Sequence, residues 1–295
     1  MATTTQLVEA KRTSAPLVLW HLLSLDAPTV AALWTWFLAR ANHIRLPLAS
    51  TIAMALAVWM LYAADRLLDA RLLDARLLNT SPRRHSELEA RHIFHHRHRR
   101  AFLLGIALAA IALAALLPGL DAAAIHLYLT EGALLFAWFL IVHATRSAHR
   151  LPKEIAVGLF FAAATFIPTV ARNPDLRLVL LPVAILLAAL CGLNCLFIYA
   201  WEHEGISRTA APAIHPTTRL ALRHLIALAV AATLAGAALA IFDPASPRPI
   251  AAACALSTAL LLMLDRNRHR LSEVTLRAAA DLALLTPLAL LPFLR

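Results

Sequence analysis

The chain has 295 residues, of which 61% are hydrophobic and only 15% charged, with a mean hydropathy of +0.71. That is too apolar for a soluble domain and fits a polytopic membrane protein. The formal net charge of +10 suggests nucleic-acid binding only until the basic residues are located: they sort by loop rather than forming a stripe, so no nucleic-acid partner is expected.

A spanning helix needs about 20 mostly apolar residues, and Ala/Leu-rich segments of that size recur along the chain. Period-two alternation is absent, which argues against a β-barrel. Spans are expected near Leu17–Leu38, Leu46–Tyr62, Ala101–Leu117, Ala122–Ile141, Glu154–Val170, Leu176–Tyr199, Leu220–Ile241, Ile250–Leu264 and Val274–Leu294. The expectation is therefore an all-α membrane bundle of about nine helices forming one domain over 1–295. A short polar tail, 1–15, precedes the first span, and no cleavable leader is expected because that span is long and continues into the body of the protein. With the N-terminus in the cytoplasm, 21 of the 27 Lys and Arg residues fall on the inner side, as the positive-inside rule demands. The inner membrane of the cell is the location this implies.

The end of the second span carries the first chemistry. In WMLYAADRLLDARLLD, Trp59–Asp74, an apolar run suddenly acquires acids. Asp65 and Asp69 are four residues apart and share a helix face, so two hard oxygen ligands one turn apart could hold magnesium against a phosphate group. Interfacial salt bridges with Arg66 and Arg71 are the competing reading. ARLLD occurs twice and is followed by ARLLN. A five-residue repeat turns a helix by about 500°, so Asp74 leaves the shared face. The stretch 65–100 reads as a cytoplasmic Asp/Arg/His-rich loop over the site. Its His92/His96 and His95/His98 pairs have helical ligand spacing, but surrounding Arg opposes a cation, and a solvated or headgroup-facing basic segment is preferred to zinc.

Ionisable residues inside spans imply a lined cavity. Asp26, His143, Asn194, Tyr199, Glu202, Glu204 and Asp281 join Asp65 and Asp69 toward the inner side, suggesting a polar vestibule with an apolar floor. His126 and Glu131 sit further out, where hydrogen bonding to each other or between helices is expected. Cys191, Cys195 and Cys254 read as small buried residues.

The order of these elements resembles the UbiA-type membrane prenyltransferases. LLSLDAPTVAALW, Leu22–Trp34, is similar to that family's opening Arg-Leu-Asp-x-Pro-like element through Leu25, Asp26 and Pro28, with Ser24 in place of the basic residue. Asp65 and Asp69 match the last two acids of its NDxxDxxxD motif, while Leu61 and Tyr62 replace the Asn and first Asp. HRLPKEIAVGLFFAAATFIP, His149–Pro168, resembles the basic loop and glycine-bearing helix of its fifth span. The second Asp-rich motif is changed: Tyr199–Ala200 is followed by WEHEG, with Leu196 and His203 where acids often stand.

The resemblance implies transfer of an isoprenyl group from an isoprenyl diphosphate to an aromatic or lipid-like hydrophobic acceptor. Mg2+ would be held by Asp65 and Asp69 with Glu202 or Glu204. Lys153, Arg150 and Tyr199 join the two acids as catalytic candidates, and Arg66, Asp26, Tyr62 and Asn194 are expected to contact substrate. Trp59 and Trp201 are read as interfacial anchors ahead of a role facing a prenyl cation. A relative that binds isoprenoids without turnover is the alternative, and a transporter ranks behind both.

Overall fold

The computed structural model describes residues 15–77, 94–144, 152–203 and 215–294. Among them the chain is helical, without strands. The helices are α1 (Ala15–Leu22), α2 (Asp26–Ala41), α3 (Leu48–Leu77), α4 (Arg99–Leu116) and α5 (Ala122–Ala144), then α6 (Lys153–Arg172), α7 (Leu181–Glu202), α8 (Pro216–Arg223), α9 (Leu225–Phe242), α10 (Arg248–Asn267) and α11 (Glu273–Ala283). Seven stretches are long and apolar enough to cross a membrane. The apolar part of α5, Ala122–Trp138, is shorter.

The first expected span, Leu17–Leu38, is not one helix: α1 and α2 meet at 88°. α1 ends in a Schellman turn, with Ser24 N–H donating to His21 O and Leu25 N–H to Trp20 O, both at 3.1 Å. Ser24 takes the left-handed position, φ 58°, that glycine normally fills. α2 then starts with an acid at its first residue, Asp26, where the helix dipole favours negative charge, and Pro28 in its first turn needs no N–H partner. The break is thus written locally, and a purely hydropathic reading passes over it.

A second departure concerns the end of the second span. α3 continues for 30 residues to Leu77, about 45 Å at 1.5 Å per residue, so the first part of the expected loop is a helical extension. The rest of that loop, 78–93, lies outside the described residues, as do 1–14, 145–151 and 204–214.

The core is packed around α2, α6, α7, α10 and α11. Val30, Trp34, Phe37 and Leu38 of α2 are buried at the i, i+4, i+7, i+8 spacing of one helix face. The Trp34 indole donates to Leu284 O at 2.9 Å, which satisfies its one polar atom and pins α2 to the end of α11. α6 and α7 approach closely through Gly158, which faces the backbone of Ala188 and Gly192; such small-residue contacts let helices gain dispersion where hydrocarbon gives no hydrophobic drive. Outward positions of α4 and α5, such as Leu104, Ile111, Leu129 and Phe136, are exposed apolar residues, as lipid-facing helices require.

Polar contacts between helix ends sort into two sets. At one end Arg66 meets Asp26, Thr218 meets Glu154, Trp201 meets Asp265 and Arg277 meets Glu202. At the other, Arg172 donates to Arg45 O and Ser246 to Val179 O.

Candidate functional site

The α1–α2 break organises a buried polar cluster at the first of these ends. His21 and Asp26 would lie on different faces of a continuous helix, five residues apart. The turn folds them together, with His21 Nδ1 2.6 Å from Asp26 Oδ2. Arg66 Nη2, arriving from α3, donates to the same oxygen at 3.4 Å, and Ala27 N–H donates to Asp26 Oδ1 at 3.0 Å. The Arg66 guanidinium also lies 4.4 Å from the centre of the Tyr62 ring, a cation–π contact of the desolvated kind. From the far side Asn194 Nδ2 donates to Asp281 Oδ1 at 3.0 Å. One ligand atom each from His21, Asp26 and Asp281 lies within 4.8 Å of the others.

Further contacts hold the turn itself. The Trp59 indole donates to Leu23 O at 3.1 Å, and Ser24 Oγ is 3.2 Å from His95 Nε2. His95 is completely buried, with its ring stacked on Phe102 at 4.4 Å between centroids. This corrects the expectation of a solvated basic segment at that residue, because a buried imidazole needs partners and Ser24 and Phe102 provide them. His96 and His98 remain exposed.

The expected site residues divide. Asp26, Arg66 and Asn194 are buried and Tyr62 half-buried in or beside the cluster. Asp65 is exposed, since one residue along a helix turns about 100° from Arg66. Asp69 lies one turn further on α3, but its side chain, like Arg150 and Glu204, is outside the described residues. Lys153 is exposed at the first turn of α6, and the half-buried Tyr199 ring stacks on His203 at 4.0 Å. Glu202 accepts from Arg277 at 2.6 Å, so its carboxylate is already engaged. Trp59 and Trp201 tie helices together: Trp59 donates to Leu23 O, and Trp201 is buried and donates to Asp265 Oδ1 at 2.9 Å. Glu131 keeps a buried Oε1 without a hydrogen bond among the described residues. The three cysteines are free, Cys191 and Cys254 buried and Cys195 half-buried.

Sequence reasoning missed His21, Ser24 and His95. Asp26 two residues before Pro28 was the available signal, because an acid and a proline in close succession mark a helix start.

Two donor sets bear on metal binding. The His21–Asp26–Asp281 group has the right closeness, but both Asp26 oxygens already accept from His21, Arg66 and Ala27, and the guanidinium opposes a cation at the same oxygen. The exposed Asp65 carboxylate is a hard oxygen donor of the kind magnesium takes, and the Glu202 carboxylate is engaged by Arg277.

With the described residues helical, seven apolar helices of membrane-crossing length among them and a buried polar cluster at one end, the chain has the build of a multi-pass membrane protein. No family model, curated protein or solved structure matches it.

Proposed function

We propose that the chain is a UbiA-type integral membrane prenyltransferase, which transfers an isoprenyl group from an isoprenyl diphosphate to a hydrophobic acceptor. One observation carries the reading: the Leu25–Asp26–Pro28 element and the acid-bearing end of α3, which the resemblance pairs by sequence alone, meet through Arg66 and Asp26 at 3.4 Å. Counting the bent α1–α2 pair and α5 as crossings gives nine spans. The two sets of end contacts group the helix ends as alternating crossings require, and the loop distribution of Lys and Arg supports an inward N-terminus and a cytoplasmic-facing site.

In this reading the carbon–oxygen bond to the diphosphate breaks, a bond from the prenyl carbon to the acceptor forms, and the acceptor releases one proton. Asp65 and Asp69 would hold Mg2+, whose positive charge offsets that of the diphosphate. Lys153 and Arg150 offer cationic donors to the leaving group. Tyr62 and Tyr199 present aromatic faces toward cationic character on the prenyl carbon.

The test is an assay of purified protein in lipid with geranyl and longer diphosphates, a panel of quinone-type acceptors, and magnesium present or absent. Magnesium-dependent transfer that is lost in folded Asp65→Asn and Asp69→Asn supports the proposal; no transfer with any donor refutes it. A second reading, isoprenoid binding without turnover, is favoured by the engagement of Glu202 with Arg277. It expects diphosphate binding with no product.

A further inference from the structure

The end of the bundle opposite the buried polar cluster is the side that basic residues avoid, yet its arginines are gathered in one place. Arg40 and Arg45 lie at the end of α2 and in the turn into α3; Arg172 and Arg177 lie at the end of α6 and in the connection to α7. Arg172 Nη1 donates to Arg45 O at 3.0 Å. That bond ties the two connections together and puts the Arg172 guanidinium within about 5.5 Å of the Arg45 Cα, so both charges can reach one phosphate diester. All four side chains are exposed, and none pairs with an acid among the described residues. Asp175 is the one carboxylate in the two connections, so positive charge is in excess. Helix electrostatics accounts for Arg40 and Arg172, which sit at the C-termini of α2 and α6. Arg45 and Arg177 instead precede the N-termini of α3 and α7, where the dipole disfavours a cation.

The apolar neighbours select the ligand. Leu48, three residues after Arg45, is 73% exposed, and Leu178, next to Arg177, is 82% exposed. Ile52 and Leu181, further along α3 and α7, are exposed as well. Bare leucines beside arginines without acidic partners match an amphiphile whose anionic headgroup sits above acyl chains, whereas a free phosphate or an acidic soluble segment leaves the leucines in water. We infer that this corner binds an anionic phospholipid of the leaflet at that end, its phosphate held by Arg45 and Arg172 through charge-assisted hydrogen bonds. The inference needs the helices to cross a membrane and is independent of prenyl transfer.

The test uses the full chain in phosphatidylcholine nanodiscs carrying a trace of phosphatidylglycerol or phosphatidylcholine with a diazirine near the glycerol end of one acyl chain. After illumination, labelled peptides are mapped by mass spectrometry. Over 40–52 and 172–181 the phosphatidylglycerol probe is expected to label at least about fivefold more than the phosphatidylcholine probe, as roughly one favourable charge contact per arginine implies. Arg45→Gln/Arg172→Gln should bring the two probes level there and leave labelling around Arg219 and Arg223, at the opposite end, unchanged. Arg40→Gln/Arg45→Gln keeps the Arg172 bond to the Arg45 carbonyl, so it should lower the preference without loosening the corner. Equal labelling of this corner by both probes in the wild type, as an acidic soluble partner would give, overturns the inference. So does a preference that survives in both double variants. The wild-type ratio decides even if a variant does not fold.

Discussion

Gly158 and Gly192 face each other across α6 and α7, yet only one of them should resist alanine. A Cβ at Gly158 would lie 2.5 Å from Ala188 O, 2.7 Å from Gly192 N and 3.0 Å from Gly192 Cα. All three are backbone atoms, so no side chain can swing aside. Restoring an ordinary contact of 3.4 Å requires the helices to part by about 0.9 Å, the difference from 2.5 Å. Overpacking of this kind costs about 1–3 kcal/mol, and a rigid backbone neighbour places it near the upper end. Alanine recovers up to about 1 kcal/mol through helix propensity, leaving Gly158→Ala less stable by about 1–2 kcal/mol. A Cβ at Gly192 meets only Glu154 O at 3.6 Å, so Gly192→Ala should be neutral or stabilising by less than about 1 kcal/mol. Denaturant titration of both variants in mixed micelles measures the contrast. Equal stabilities, or the reverse order, would show that the close approach of α6 and α7 has been misjudged. Because α7 carries Asn194, the same displacement should also weaken the contact with Asp281 and reduce whatever activity the cluster supports.

Arg66→Met leaves the Asp26 carboxylate buried with one cationic partner fewer, and breaking such a pair costs about 3–5 kcal/mol. The same titration should find the Arg66→Met/Asp26→Asn double variant less destabilised than the two single losses summed. Ser24→Gly relieves a left-handed residue worth about 1 kcal/mol but strips His95 Nε2 of its partner, a loss of about 1–3 kcal/mol. Ser24→Ala loses the partner and keeps the strain, so stability should fall in the order wild type, Ser24→Gly, Ser24→Ala. Glu202→Gln removes a mostly buried ion pair, its side chains 17–21% exposed, and should cost about 1–3 kcal/mol. If Arg277 holds that carboxylate during turnover as well, Glu202→Gln should change the magnesium requirement in the transfer assay far less than Asp65→Asn does.

Fold class was legible from residues alone. Recurrent apolar stretches of membrane length, without the period-two alternation of a barrel, point to helices, which pair every backbone N–H and C=O within one segment, and the described residues hold seven of that length. The candidate site was read in part. Asp26 and Asn194 stood out because a polar side chain inside an apolar helix is conspicuous, whereas Tyr62 and Arg66 entered through the family resemblance. Their partners were not found, since hydropathy carries no record of which helices touch.

What sequence determined, then, was composition-level physics: which segments must be helical, which faces must be apolar, and where an ionisable residue demands an explanation. Tertiary structure alone decided the pairing. The bend at Ser24 brings His21 onto Asp26, α3 delivers Arg66 to the same oxygen, and α7 sets Asn194 against Asp281, contacts whose partners lie up to 87 residues apart. The physical reason is that helix formation depends on neighbours within a turn or two, whereas charge compensation in a low-dielectric interior depends on distance in space, which the packing of α2, α3, α7 and α11 sets.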